Sequence, residues 1–248
     1  MTDAAVLKAL LRSDLSAARQ LADQGVRITT EHSLSVLSLL GMVVQGCIAV
    51  RSGDLETGID TLKKALEDFR ATDAHNLLPI FLSFLAEALS RCGKSEEAFA
   101  TIAEALQLSE TTLEVCWEAE LYRVKGTLTL QSQAGQRQVA GKSKTSRDKS
   151  KSRPKQSTGK AKAHQPTPEV QSLEAEAEEC FLKAIEIARR QEAKSLELRA
   201  VISLSRLWQQ QGKQTDARRW LAETYSWFTE GFETKDLQDA KALLHTLH

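Results

Sequence analysis

A chain of 248 residues with no net formal charge, 42% hydrophobic and 27% charged, is long enough to bury a substantial core and is not compositionally disordered. Ala, Leu, Glu, Gln and Arg are plentiful while Gly and Pro are few, which favours helix because these side chains lose little rotamer freedom there. The neutral total hides an asymmetry: between Gln136 and Gln165 ten Lys or Arg face the single acid Asp148, so that segment carries +9 and the remainder −9.

In chain order, apolar periodicity predicts helices near 3–12, 15–28, 32–51, 55–72, 75–91, 96–109 and 112–131, and then 168–191, 194–211, 215–229 and 234–246. Asp3, Lys8 and Arg12 interrupt the first of these, so no signal peptide is expected. That opening helix is also short, which predicts a poorly capped N-terminal end of a helical stack. Ser33–Val50 has no charge, yet its three Ser, two Gly and Gln45 argue for a buried helix rather than a membrane span. Leu37, Leu40, Val43, Val44, Cys47 and Val50 lie almost all round it, so self-association through the 33–50 helix is an expectation. From about Ser132 to Pro166 the chain is low in complexity, rich in Ser and Lys, and expected to be disordered. Thr167-Pro168-Glu169 then restarts helix with a capping hydroxyl, a first-turn Pro and an acid at the positive helix end.

A repeat of about 40 residues underlies this pattern. Arg12-Ser13-Asp14-Leu15, Arg51-Ser52-Gly53-Asp54, Arg91-Cys92-Gly93-Lys94 and Gln211-Gly212-Lys213 are similar turns. Small residues recur after them at Ala18, Gly58, Ala98 and Ala217, with Ala177 opening a further unit. The intervals are 40, 40, 79 and 40, so one insertion of about 39 residues restores a single period, and the basic segment lies there. A small residue lets the paired helix come close, and the larger Leu62, Ile102 and Phe181 fill the space one turn on. The expected fold is therefore all-α: a right-handed α-solenoid of helix-turn-helix repeats, spanning 1–131 and 167–248 as one solenoid with a basic insertion at 132–166.

The small-residue positions, the Gly turns and Phe181 resemble the tetratricopeptide repeat, although the period is longer than usual for it. Trp117–Gly126, Ala175–Phe181, Ala193–Ala200 and the tail Trp227-Phe228-Thr229-Glu230-Gly231-Phe232 with Asp236-Leu237 are similar to helical regions at the C-terminus of large bacterial signalling proteins. Those are predicted signal-transducing ATPases, often joined to nucleotide cyclase or LuxR-type DNA-binding domains. The resemblance implies a signalling scaffold and not their chemistry, which resides in domains upstream of the helical region.

The residues themselves point away from catalysis. Gly135 to Ser143 approaches a phosphate-binding loop, but it has five residues before Gly141-Lys142-Ser143 instead of four. Cys47, Cys92, Cys116 and Cys180 form no paired motif and have no His at ligand spacing, so they read as reduced thiols within helices, and no metal or cofactor is expected. His32, His75 and His245 suit surface or capping roles. The expected function is a non-enzymatic, cytoplasmic scaffold for a protein or peptide partner, bound on the first helix of each repeat through Glu87, Arg91, Glu120, Arg123, Arg199 and Arg206. The alternatives are a ligand-sensing module regulating a separate ATPase or transcription factor, or an adaptor for nucleic acid or an anionic surface through 136–165. The last is disfavoured because that segment has no aromatic residue for base stacking.

Overall fold

The computed structural model describes residues 16, 17, 19, 20, 35–72, 77–112, 115–145 and 168–247. Among these residues there is no strand, and nine α-helices follow one another: α1 (Ser35–Ser52), α2 (Leu55–Arg70), α3 (Leu78–Arg91), α4 (Ser95–Thr112), α5 (Glu118–Thr145), α6 (Pro168–Arg190), α7 (Lys194–Gln210), α8 (Gln214–Tyr225) and α9 (Lys235–Thr246). A 3-10 turn, Val115–Trp117, leads into α5. The helices expected at 3–12 and 15–28 lie outside the described residues, apart from 16, 17, 19 and 20, which are helical.

α5 runs to Thr145, beyond the boundary at 131 expected from composition. Ala134, Gln136, Arg137, Gln138, Ala140 and Lys142 are good helix formers, so the backbone ladder continues into the start of the basic segment. Residues 146–167, which hold most of the expected insertion, lie outside the described residues. Pro168 opens α6, where its missing N–H costs nothing.

The helices pack in consecutive pairs, α1 on α2, α3 on α4, α5 on α6 and α7 on α8. The crossings are made by small residues. A Cβ on Gly58 would come within 2.9 Å of the Gly46 carbonyl, and one on Gly126 within 3.1 Å of the Ala177 carbonyl. In the last pair the Ser205 hydroxyl donates to the Ala217 carbonyl at 3.3 Å. Ala86 and Ala98 hold the corresponding places in the second pair, both buried. Partners in three crossings are 12 residues apart in sequence, and Gly126 and Ala177 are 51 apart.

Tight turns set these pairs. At Gly53, Gly93 and Gly212 the φ angle is +96°, +79° and +77°, the left-handed conformation that glycine adopts without a side-chain clash. Each turn closes in the same way: Asp54 N–H donates to Ala49 C=O at 3.0 Å, Lys94 N–H to Leu89 C=O at 2.9 Å and Lys213 N–H to Trp208 C=O at 2.8 Å. Asp54 then caps α2 by accepting the Thr57 N–H at 3.3 Å. Glu192, at φ +55°, makes the same turn between α6 and α7 without glycine.

First helices also meet first helices: α1 touches α3, α3 touches α5, α5 touches α7, and α7 touches α9. α5 joins two apolar cores, giving Leu121, Val124 and Leu128 to the one beneath α1–α4 and Tyr122 and Leu130 to the one beneath α6–α9. In α1, Leu39, Leu40, Val43, Val44, Cys47 and Val50 are buried within the single chain. Five of the residues named for self-association, Leu40, Val43, Val44, Cys47 and Val50, are among these and are covered in part by α2 and α3, while the side chain of Leu37 lies outside the described residues. No helix among the described residues is long and apolar enough to cross a membrane.

Candidate functional site

The row of first helices gathers charge that the sequence scatters over 150 residues. Glu120 and Arg123 are one turn apart on α5, where Arg123 Nε donates to Glu120 Oε2 at 2.9 Å and Nη2 to Oε1 at 2.8 Å. The same Nη2 reaches Glu87 on α3 at 2.7 Å. From the other side Arg199 on α7 brings its Nη2 to 3.0 Å from Glu120 Oε1, and its Nε lies 4.0 Å from Asp236 on α9. Four helices are thus linked through five charged side chains.

Burial makes these contacts strong and exacting. Glu120 is only 2% exposed and Arg123 9%, so water screens them little. Burial by itself pushes the Glu120 carboxyl up, but the Arg123 and Arg199 guanidiniums beside it outweigh that and hold it below the usual carboxylate range. Asp236 goes the other way. Its partial burial dominates over the more distant Arg199, so its carboxyl is raised. The Arg199 Nη1 is buried and finds no acceptor in the protein.

Of the six residues expected on the binding face, Glu87, Glu120, Arg123 and Arg199 come together in this network. Glu120 and Arg123 therefore act inside the molecule, holding helix to helix, instead of being turned to solvent. Arg91 is exposed and lines a small cleft with Arg51, Glu87 and Cys47. Arg206, 54% exposed, pairs with Asp239 on α9 at 3.3 Å. The outer helices carry separate, exposed pairs, Lys63 with Glu97 at 3.0 Å and Arg70 with Glu104 at 2.6 Å, which contribute little to stability.

Three features escaped the sequence pattern. Glu197, at the start of α7, is buried between Arg189 at 2.7 Å and Lys194 at 2.9 Å. Asp236 joins the ionic row from α9, although its acidity in a first helical turn signals no more than an ordinary helix start. A cavity of about 460 Å³ opens between α7 and the connection from α8 to α9, with Phe228 and Asp236 in its walls. The unusual density of aromatics in Trp227–Phe232, with Trp227 66% exposed, is the one sequence signal for it.

No family model matches the chain. It is similar to a protein of Rhizobium meliloti (strain 1021), "Uncharacterized protein R02095", with 27% identity over 138 residues. That match takes in 56% of this chain and only 13% of the relative, so the chain spans a small part of a much longer protein.

Proposed function

We propose that the chain is a non-catalytic protein-interaction scaffold. In this reading it is a right-handed α-solenoid of tetratricopeptide-like helix pairs, acting in the cytoplasm in bacterial signalling or regulation. Support for the repeat comes from the crossings: Gly46, Ala86 and Gly126 on the first helices recur at intervals of 40 residues. Similarity to a short part of a much longer protein is compatible with such a region also standing inside a larger chain.

The observation that carries the reading is the ionic row on the first helices. Arg123 and Glu120 lock α3, α5 and α7 together, which fixes the spacing of the more accessible Glu87, Arg91 and Arg206 beside the largely buried Arg199. A surface with its charges pre-positioned binds a charged peptide at a smaller entropic cost than a mobile one. The partner class is a protein segment with groups complementary to these arginines and to Glu87.

Affinity capture from native extract tests this, using the full chain, a chain lacking 136–165, and an Arg91→Glu/Arg206→Glu variant. The expected result is one protein partner retained by the first two and lost by the third. Capture of nucleic acid or membrane by the full chain alone would move the function to the basic segment. A ligand-sensing role is the second reading, and the cavity beside α9 is the observation that favours it.

A further inference from the structure

We propose that the cavity between α7 and the α8–α9 connection is a binding site for a small organic ammonium compound. The cation would sit against Asp236, with the exposed Glu230 and Glu233 also in the lining, and its apolar body against Leu198, Phe228 and Leu237. This deepens the ligand-sensing reading and rests on it; the scaffold reading stands or falls separately.

The size is right for such a ligand. At about 460 Å³ the cavity lies within the range of small-molecule sites, roughly 300–1,000 Å³. Its outer wall is a built loop. Gly231 takes φ +76°, and the Thr234 N–H and hydroxyl both donate to the Gly231 carbonyl, at 2.9 and 2.7 Å. Gln238 ties down the Glu233 carbonyl at 3.1 Å, and the Tyr225 and Phe232 rings pack 6.0 Å apart. The loop is therefore shaped by its own contacts.

The charge selects the ligand's sign. Three carboxylates line the cavity and no Lys or Arg does. The nearest guanidinium atom to Asp236, Arg199 Nε, is 4.0 Å away, beyond a charge-assisted hydrogen bond, while the Nη2 of the same residue is committed to Glu120. Asp236 thus stands partly desolvated without a hydrogen-bonded cation, which is why burial raises its carboxyl. An ammonium group would supply that partner, and Phe228 lines the same cavity.

The spacing of the acids selects against a bare metal ion. No group of three His, Cys, Asp or Glu among the described residues converges closely enough to hold one. Carboxylates that do not converge on one point suit an organic ammonium, which needs only one of them as its hydrogen-bonded partner. Ser195 and Thr234 add hydroxyls to the lining for a further polar contact.

Isothermal titration of the full chain with 2-phenylethylamine, 2-phenylethanol and 3-phenylpropionate tests the site. The amine is expected to bind one per chain, with affinity at least about tenfold above the alcohol, and the carboxylate not to bind. The exposed pair Glu230→Gln/Glu233→Gln should weaken the amine about fivefold or more while leaving the thermal midpoint unchanged, and Asp236→Asn should weaken it further. Equal affinity for amine and alcohol, no heat from the amine up to about 10 mM, or indifference to all three substitutions would overturn the proposal. Arg91 and Arg206 do not line the cavity, so the capture variant that tests the scaffold leaves this titration intact.

Discussion

Arg123 holds Glu120 through two parallel hydrogen bonds, 2.8 and 2.9 Å long, with both side chains buried one turn apart on α5. The fork geometry leaves Nη2 able to reach Glu87 as well. Removing one member strands a charge that water cannot reach. Arg123→Met should therefore destabilise the fold by about 3 kcal/mol, the low end for a broken buried pair because Arg199 still faces Glu120. Glu120→Met with Arg123→Met should cost clearly less than the sum of the two single changes. Urea unfolding of the three variants measures both quantities, and simple additivity would remove the pair from the account.

Gly58 and Gly126 both sit at helix crossings, but they are not equally replaceable. A methyl at Gly58 would meet the Val50 backbone nitrogen at 2.8 Å and the Gly46 carbonyl at 2.9 Å, neither of which moves without shifting a helix. At Gly126 the closest atoms, at 2.7 and 2.9 Å, belong to the ring of the buried Phe181, and the nearest backbone atom, the Ala177 carbonyl oxygen, stands farther off at 3.1 Å. Gly58→Ala should thus destabilise by about 1–3 kcal/mol despite alanine's better helix propensity. Gly126→Ala should cost less. Thermal melts that rank the two in the reverse order would contradict the crossing geometry.

The same glycines explain why the fold was legible in the sequence. A helix crossing needs a small residue at one place per helix, and a sharp turn needs a left-handed residue, so Gly53, Gly58, Gly93, Ala98, Ala177, Ala217 and Gly212 mark turns and close approaches in the sequence itself. Helix limits for α3, α7 and α9 followed within a few residues for that reason. The ionic row was only half legible. Helical spacing put Glu87, Glu120, Arg123 and Arg199 on one face, but spacing along one helix does not say how near the next helix stands. Glu120 looks like any solvated acid until α7 brings Arg199 against it. The cavity was least legible, because it depends on the path of a loop held by Gly231 and Thr234 and not on any periodic pattern.

Glu192 offers a stabilising change. Its φ of +55° makes the turn that glycine makes at 53, 93 and 212, and an L side chain is strained in that conformation. Its N–H donates to Arg189 C=O at 3.1 Å and the next residue's N–H to Ala188 C=O at 2.9 Å, both of which glycine would keep. Glu192→Gly should raise stability by about 0.5–1 kcal/mol, the relief of strain exceeding the added freedom of the unfolded chain. A rise of roughly 1–4 °C in melting temperature is the expected reading. A fall would mean that the side chain makes a contact worth more than the strain.

The cysteines should divide by accessibility. Cys116 is exposed, Cys92 half-buried, and Cys47 and Cys180 buried. Burial pushes the Cys47 thiol up to about 12, so almost none is thiolate at neutral pH. Titration with a thiol reagent at pH 7.5 should label Cys116 first, Cys92 more slowly, and the remaining two only on unfolding. Rapid labelling of Cys47 in the native chain would show that α1 opens away from α2 and α3 far more readily than its burial implies.

Acid should weaken the ionic row in a defined window. Glu120 and Glu197 have folded-state carboxyls below the ordinary value of 4.5: against the opposing effect of burial, Glu120 is held down by the Arg123 and Arg199 guanidiniums and Glu197 by the Arg189 guanidinium and the Lys194 ammonium. A depressed carboxyl contributes stability that is present above its unfolded value and lost as pH falls through the folded one. Both contributions are therefore intact at neutral pH and disappear below about pH 4.5. Asp236 has the opposite sign: burial raises it above 3.8, so the native state favours its protonated form and stability falls as pH rises through that window. Glu120→Gln should lower stability at pH 7 and flatten the acid limb of a stability-against-pH curve. Asp236→Asn should instead raise stability at pH 7, leaving the acid limb steeper relative to its new plateau. Urea denaturation at intervals from pH 3 to pH 8 would separate the two, and a loss of stability in Asp236→Asn at neutral pH would mean that its contact with Arg199 outweighs the cost of its burial.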